Sequence, residues 1–277
     1  MPRRVELDLA LAGLALARNW LVGSRETVDR ILEQVQRLAE TPGDDVFDAP
    51  EQTVAEGYRV WAATYDDPGN PIVQLEEPAV QGILESLEPG VALDSACGTG
   101  RHAAALERLG HRVVAVDASE EMLERARSRV PSAHLRTGSL TELPVEDGAV
   151  DSVVCSLALT HLPELAPAVD ELARVVRPDG RVIVSDVHPV FVALGAQAAY
   201  KVGGATAGFV RNHVHWPGAY LRAFASAGLR VEACQELPYG PREIDLWAGN
   251  LAVSRDVVVE ALAGLPAVLV WDLRRLP

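Results

Sequence analysis

Two carboxylates flank a run of small residues near the middle of the chain. Asp94 closes the apolar run 91–93. "DSACGTG" then places Ala96, Gly98 and Gly100 at alternate positions, and Asp117 ends the next apolar run. Small residues after a strand let a ligand approach the backbone. A carboxylate at the tip of the following strand is placed to accept hydrogen bonds from the two hydroxyls of a ribose. Read as Gly98-x-Gly100-x-x-Ala103, the stretch also fits a dinucleotide fingerprint. Asp94 argues against a pyrophosphate, because its charge in front of the turn repels one. It can instead orient the turn and receive an ammonium group, directly or through water. Ala96 permits a close backbone approach only with a negative φ, so the turn is expected to bend there without a left-handed residue.

The elements that hold these groups follow a clear rhythm from residue 75. Short apolar runs at 91–94, 112–116, 134–137, 152–156 and 181–186 alternate with helical segments near 100–109, 119–129 and 163–176. Strands alternating with helices at this spacing imply parallel pairing in a doubly wound α/β sheet. "RPDGR" (177–181) reads as the turn that launches the fifth strand. A helix at 217–227, a strand at 230–236, a long irregular segment, a helix at 254–263 and a last strand at 267–273 complete the pattern. Before it, helical spacing over 4–40 predicts two helices, with Ser24 capping the second. "TPGDD" (41–45) is expected to be a loop, and 52–65 and 75–87 further helices.

The order of motifs resembles the class I S-adenosylmethionine-dependent methyltransferase family. Asp-x-Ala-x-Gly-x-Gly resembles its first motif, where relatives usually have glycine in place of Ala96. "VVAVDASEEML" (113–123) is similar to its ribose-binding strand. "GSLTELPVEDGAVDSVVCSLALTHL" (138–162) is similar to its adenine loop and fourth strand, and "RVVRPDGRVIVSD" (174–186) to the turn into the fifth. The resemblance covers about 55–190 well and the C-terminal strands loosely. It implies a mostly parallel seven-stranded sheet of Rossmann-like methyltransferase fold over 67–277. A helical extension and lid over 1–66 and substrate-lid insertions at about 189–228 and 240–265 complete the implied organisation.

The same resemblance implies S-adenosylmethionine as cofactor and assigns its contacts. Asp94, Ala96, Cys97, Gly98 and Gly100 would border the methionine part and ribose, and Asp117 would bind the ribose hydroxyls. Ala118 and Met122 would pack beside the adenine, with Ser139 and Leu140 at its edge. Relatives often carry an aspartate where Ser139 stands; a hydroxyl can also accept from the exocyclic amine, without charge. Ser156 and Leu157 would line the methionine end, and Tyr58 and Tyr65 would close over the cofactor. Trp61, His213, His215 and Tyr220 are substrate-side candidates.

Methyl transfer from a sulfonium depends chiefly on alignment, so no strong catalytic motif is expected. A base still helps a hydroxyl or amine acceptor lose its proton. His161 and His188, each after a strand that ends at the crevice, are the base candidates; His102 is read as a helix-face residue near the cofactor. His213 and His215 share one side of an extended segment. Together with Asp186 and His188 they match no metal-site spacing, and no metal is assigned. The expected activity is methylation of oxygen or nitrogen on a small, apolar or aromatic metabolite. The alternative is a methyltransferase-like enzyme that binds the cofactor but cyclises or rearranges a natural product. A nicotinamide-dependent oxidoreductase and a non-catalytic binding module are further competing readings.

The whole chain of 277 residues, 48% hydrophobic, has enough apolar content for a sizeable core. A net charge of −14 disfavours nucleic-acid and anionic-membrane partners. Cys97, Cys155 and Cys234 are far apart and form no CxxC pair, which fits reduced thiols in a cytoplasm. The first residues resemble a secretory signal, but Glu6 and Asp8 front the apolar stretch and Arg18 and Asn19 close it, so that reading is set aside. Ala- and Arg-rich, lysine-poor composition points to a bacterial protein; a monomer or homodimer is expected.

Overall fold

The computed structural model describes residues 4–40, 49–249 and 251–277; the segment 41–45, expected to be a loop, lies outside them. Helices α1 (Arg4–Asn19) and α2 (Arg25–Glu40) lead into a two-residue strand, β1 (Glu51–Gln52), then α3 (Val54–Trp61) and α4 (Pro71–Leu84). The alternating region runs β2 (Val91–Asp94), α5 (Arg101–Arg108), β3 (Arg112–Asp117), α6 (Glu120–Arg129), β4 (His134–Thr137) and β5 (Val150–Ser156). A single 3-10 turn (Leu159–His161), α7 (Ala166–Val175) and β6 (Val176–Val187) follow. The C-terminal part comprises α8 (Pro189–Ala193), β7 (Ala198–Val202), β8 (Ala205–Val210), α9 (Pro217–Ser226) and β9 (Leu229–Pro238). It ends with α10 (Pro241–Ala248), α11 (Arg255–Leu262) and β10 (Pro266–Arg275).

Seven strands form one sheet in the order β4-β3-β2-β5-β6-β10-β9. β10 alone runs against its two neighbours; the other pairings are parallel. Helices cover both faces, so the central strands are apolar on both sides. Val154 and Ile183 face the layer of α4, α5 and α6, while Val153, Cys155, Val182 and Val184 face α7 and α9. The segment 177–180 bulges out of β6, because Val150 pairs with Val176 while Ser152 already pairs with Arg181. Asp179 makes the bend with φ 62°. The expected turn is thus present inside one long strand.

Two parts differ from the sequence reading. A second, three-stranded sheet, β1-β8-β7, stands beside the first. Its β7–β8 hairpin turns at Gly203 and Gly204, with φ 59° and 85°, left-handed values that a tight two-residue hairpin requires. The segment expected to be irregular contains α10. Gly240 N donates to Glu243 Oε2 at its start, and Pro241 supplies the fixed φ of a first helical turn.

Helices α1 and α2 brace the C-terminal helices. Arg18 donates to the carbonyls of Ala261 and Ala263 at the end of α11, both at 2.8 Å. The buried carboxylate of Asp8 accepts from Ala252 N and Val253 N. Neither helix contributes a residue to the cleft described below; within 1–66 only α3 and the turn after it do. No described helix is long and apolar enough to cross a membrane.

Candidate functional site

A cleft of about 270 Å³ opens across the C-terminal ends of β2, β3 and β5. In open parallel sheets this is where ligands bind. Its floor is made of strand ends and the turns that leave them. Its roof is α3, seated on the small sheet.

The floor is built by short-range hydrogen bonds. Cys97 N donates to Val116 O at 2.9 Å, drawing the turn after β2 onto β3. Gly98 and Gly100 make the bend with φ 52° and 84°, whereas Ala96 keeps a negative φ. A Cβ on Gly98 would meet nothing within 4 Å, so this glycine faces open cleft. Asp117 Oδ2 accepts from Gly98 N and Oδ1 from Ser119 N, both at 2.8 Å. The carboxylate itself lines the cleft. Burial raises the Asp117 pKa, while the N–H groups of Ser119, Gly98 and Ala118 oppose the shift. Ala118, Ser119, Gly138, Ser139 and Leu140 continue the wall. The hydroxyl of Ser139 accepts from Thr141 N at 3.2 Å.

At the other side of β2, Ser156 and Leu157 line the cleft. Leu157 is held at φ 53° with its N–H on Ser185 O, a left-handed conformation that costs a side-chain-bearing residue roughly 1–2 kcal/mol. The Ser156 hydroxyl is buried with no protein partner. A strained residue beside an unpaired polar atom is the pattern of a ligand contact.

The roof has a different construction. Thr53 and Glu56 form a reciprocal capping box that starts α3. Gly57 then lets the helix touch the small sheet: a Cβ there would lie 2.3 Å from Val210 Cγ2. Trp61 stacks on Tyr58 at 5.5 Å and on Tyr200 at 5.9 Å. Beyond α3, Asp66 accepts from Thr99 Oγ1 and pairs with Arg129, fixing the turn that carries Tyr65. Val54, Ala55, Tyr58 and Tyr65 face the cleft.

His161 joins roof to floor. Its Nδ1 lies 2.9 Å from Arg211 O and its Nε2 2.8 Å from Tyr58 Oη. A carbonyl only accepts, so Nδ1 carries the proton and the bare Nε2 accepts from the phenol. Burial lowers the His161 pKa, and burial raises that of Tyr58 well above its usual value. Both groups are therefore neutral at physiological pH.

Ten expected cofactor contacts meet in this one cleft: Tyr58, Tyr65, Ala96, Gly98, Asp117, Ala118, Ser139, Leu140, Ser156 and Leu157. Four others do not line it. Asp94 accepts from Ala103 N at 2.9 Å and so ties the start of α5 to β2; burial pushes its carboxyl up to about 6. Cys97 points into the core. A Cβ on Gly100 would lie 3.3 Å from Ala126 and Val130, so that glycine serves helix packing. Met122 is fully buried.

Other assignments are also corrected. His188 lies away from the cleft: its Nδ1 accepts from Val190 N, capping α8, and its Nε2 donates to Glu236 Oε1. His213 and His215 stack at 6.4 Å, but His215 Nε2 donates to Leu162 O and His213 N to Thr160 O. They brace the turn that carries His161 rather than lining the cleft. Tyr220 is buried in the core, donating to Asp186 Oδ2 at 2.7 Å. Trp61 backs Tyr58 from behind. His102 is buried with Glu76, which also accepts from Arg101 and Ser185. Val54, Ala55, Ser95, Ala158 and Leu162 line the cleft without having been anticipated. The Thr53-x-x-Glu56 box is the sequence signal that sets the first two of them in a helical turn. Among the described residues, no cluster of three or more His, Cys, Asp or Glu is arranged to hold a metal.

Residues 93–184 match the family model described as a methyltransferase domain. A demethylmenaquinone methyltransferase from Clavibacter sepedonicus is 39% identical over 34% of this chain and 40% of its own length. A malonyl-[acyl-carrier protein] O-methyltransferase from Erwinia pyrifoliae is 33% identical over 49% of this chain and 51% of its own. The chain thus spans about half or less of the length of these relatives. The solved structure of geranyl diphosphate methyltransferase in complex with S-adenosylmethionine superposes with a TM-score of 0.56 at 18% identity, over 82% of this chain and 98% of that one. Over residues 93–184 the chain is thus similar to methyltransferase domains, and its fold is that of the class I enzymes whose cofactor is S-adenosylmethionine. The residues present fit it: Asp117 presents a carboxylate to the cleft, Gly98 opens the floor, and Ser156 holds a buried hydroxyl without a partner.

Proposed function

We propose that the protein is a methyltransferase that moves the methyl group of S-adenosylmethionine to an oxygen or nitrogen of a small apolar or aromatic metabolite. One observation carries this reading. The same cleft joins the Asp117 floor to a neutral, buried histidine–tyrosine pair. When bound, the cofactor supplies an electrophilic methyl group on a good, neutral leaving group. Asp117 accepts from the ribose hydroxyls, Ala118 and Leu140 flank the adenine, and Ser139 presents its hydroxyl at the adenine edge. The turn from Ser95 to Gly98 brings backbone close to the methionine end, where Ser156 and Leu157 face it. His161 is the base of the acceptor side, and Val54, Ala55 and Leu162 give that side an apolar wall. The demethylmenaquinone methyltransferase named above supports a small-molecule acceptor.

The test is incubation with S-adenosylmethionine and a panel of aromatic hydroxyl and amine acceptors, followed by mass spectrometry. A gain of one methyl with stoichiometric S-adenosylhomocysteine is the expected result. Product formed without S-adenosylhomocysteine overturns methyl transfer in favour of a cyclisation or rearrangement. Failure to bind S-adenosylmethionine at millimolar concentration overturns the reading altogether.

A further inference from the structure

His161 cannot take a proton from an acceptor directly. Its Nδ1 proton is committed to Arg211 O, and its one lone pair, on Nε2, already accepts from Tyr58 Oη. The turn that carries it is pinned: Thr160 O accepts from His213 N at 2.6 Å, and Leu162 O accepts from His215 Nε2 at 2.7 Å. The ring is therefore held in one tautomer and one orientation. Tyr58 is equally fixed, between Trp61, Tyr65 and the edge of His161 at centroid distances of 5.5, 6.1 and 5.5 Å. Its hydroxyl proton points at Nε2, so the phenol oxygen has lone pairs free for a donor. Tyr58 lines the cleft.

We infer that Tyr58, not His161, meets the acceptor's hydroxyl and relays its proton to His161, and that the acceptor is an aryl or enolic alcohol. The inference rests on the methyltransferase reading. In the relay the acceptor's O–H bond breaks and its electron pair stays on the acceptor oxygen. That proton bonds to Tyr58 Oη as Tyr58's own proton moves to His161 Nε2. Tyr58 is neutral before and after; the products are an acceptor oxyanion and an imidazolium whose Nδ1–H still donates to Arg211 O.

The pair's surroundings require the two transfers to be concerted. Tyrosinate is disfavoured because burial, Tyr65, Asp117 and Asp186 all raise the Tyr58 pKa. His161 is a weak base, since burial and His213 lower its pKa against the hydrogen bond to Arg211 O. The Arg211 side chain itself is paired with Glu51. Among hydroxyls that the apolar wall admits, a weak base favours the more acidic ones. A phenol, with an ordinary pKa of about 10, is thus favoured over a hydroxyl as weakly acidic as water, at about 15.7. The apolar wall of Val54, Ala55 and Leu162 suits an aromatic ring.

The test combines histidine-selective 15N NMR with kinetics on wild type and Tyr58→Phe, which keeps the ring packing. In wild type at neutral pH, His161 should show a protonated Nδ1 and a bare, hydrogen-bonded Nε2. In Tyr58→Phe the tautomer should persist, the Nε2 resonance should shift, and the imidazole should titrate at higher pH, because the phenol's bond favours the neutral ring. With a phenolic acceptor, kcat should fall about 100-fold or more. The acid limb of the pH–rate profile should move with the imidazole titration. Cofactor affinity by calorimetry should fall far less than kcat, because phenylalanine keeps the ring over the cleft. A protonated Nε2 in wild type, or kcat retained in Tyr58→Phe, overturns the relay. Absence of cofactor binding in wild type overturns the methyltransferase reading instead, and the NMR result still decides whether the pair is arranged as described.

Discussion

The floor and the roof of the cleft are held by different kinds of contact. In the floor, each group is fixed by a partner one turn or one strand away: Asp117 by Gly98 and Ser119, and Asp94 by Ala103. In the roof, α3 gains its place from residues far along the chain: Gly57 against Val210, Trp61 against Tyr200, and Tyr58 against His161. The floor therefore follows from a local motif, while the roof exists only once the small sheet has formed. The difference also separates two tasks. Backbone N–H groups and a carboxylate suit the polar parts of a cofactor, and an apolar helix face with one neutral proton-accepting pair suits an acceptor.

Two glycines put that division to the test most strongly. Gly98→Ala places a methyl group in open cleft at a left-handed position, so it should weaken cofactor binding at least roughly tenfold. The attendant strain should lower stability by only about 1–2 kcal/mol. Gly57→Ala drives its Cβ into Val210, an overpacking cost of about 1–3 kcal/mol. It should lower turnover by a larger factor than cofactor affinity. Calorimetry and thermal melts on both variants check the pair; if both lose cofactor affinity equally, floor and roof are not separable.

A smaller effect concerns the support beneath the roof. Asp186 is fully buried, and burial pushes its carboxyl up to about 7, against about 3.9 when unfolded. The native state thus holds this proton more tightly than the unfolded chain. The Asp186 contribution to stability is full below about pH 4, falls as pH rises toward 7, and is lost above it. Asp186→Asn keeps an acceptor for Tyr220 and removes the buried charge. Its Tm should exceed wild type by roughly 3 °C or more at pH 8 and match it near pH 4. An equal shift at both pH values contradicts the assignment. The smallest effect belongs to His188→Ala, which removes the cap of α8 at a cost of about 1 kcal/mol and should leave kcat unchanged. A large fall in kcat would return His188 to the catalytic side.

The same contrast explains how much was legible in the sequence. The seven-stranded sheet and the floor could be read because strand ends, glycines and Asp117 are neighbours in sequence and share a strict alternation. Motif residues that turn inward are the exception: Cys97, Gly100 and Met122 lie within the motif yet serve packing, and spacing alone does not tell a lining face from a core face. The small sheet escaped notice because β1 is two residues long and joins β8 across more than 150 residues. Gly203-Gly204 between two short runs was the available hairpin signal. His161 and His188 were indistinguishable in sequence, since each follows a strand end. They separate only through long-range partners, Tyr58 and Arg211 for one and Glu236 for the other.

The central claim is that Asp117 anchors the cofactor in the floor independently of the roof. Calorimetric titration of wild type and Asp117→Ala with S-adenosylmethionine tests it most directly. Micromolar binding by wild type is expected, with a loss of at least about 100-fold in Asp117→Ala as two charge-assisted hydrogen bonds are removed. Unchanged affinity in Asp117→Ala, with the variant still folded by circular dichroism, would contradict it.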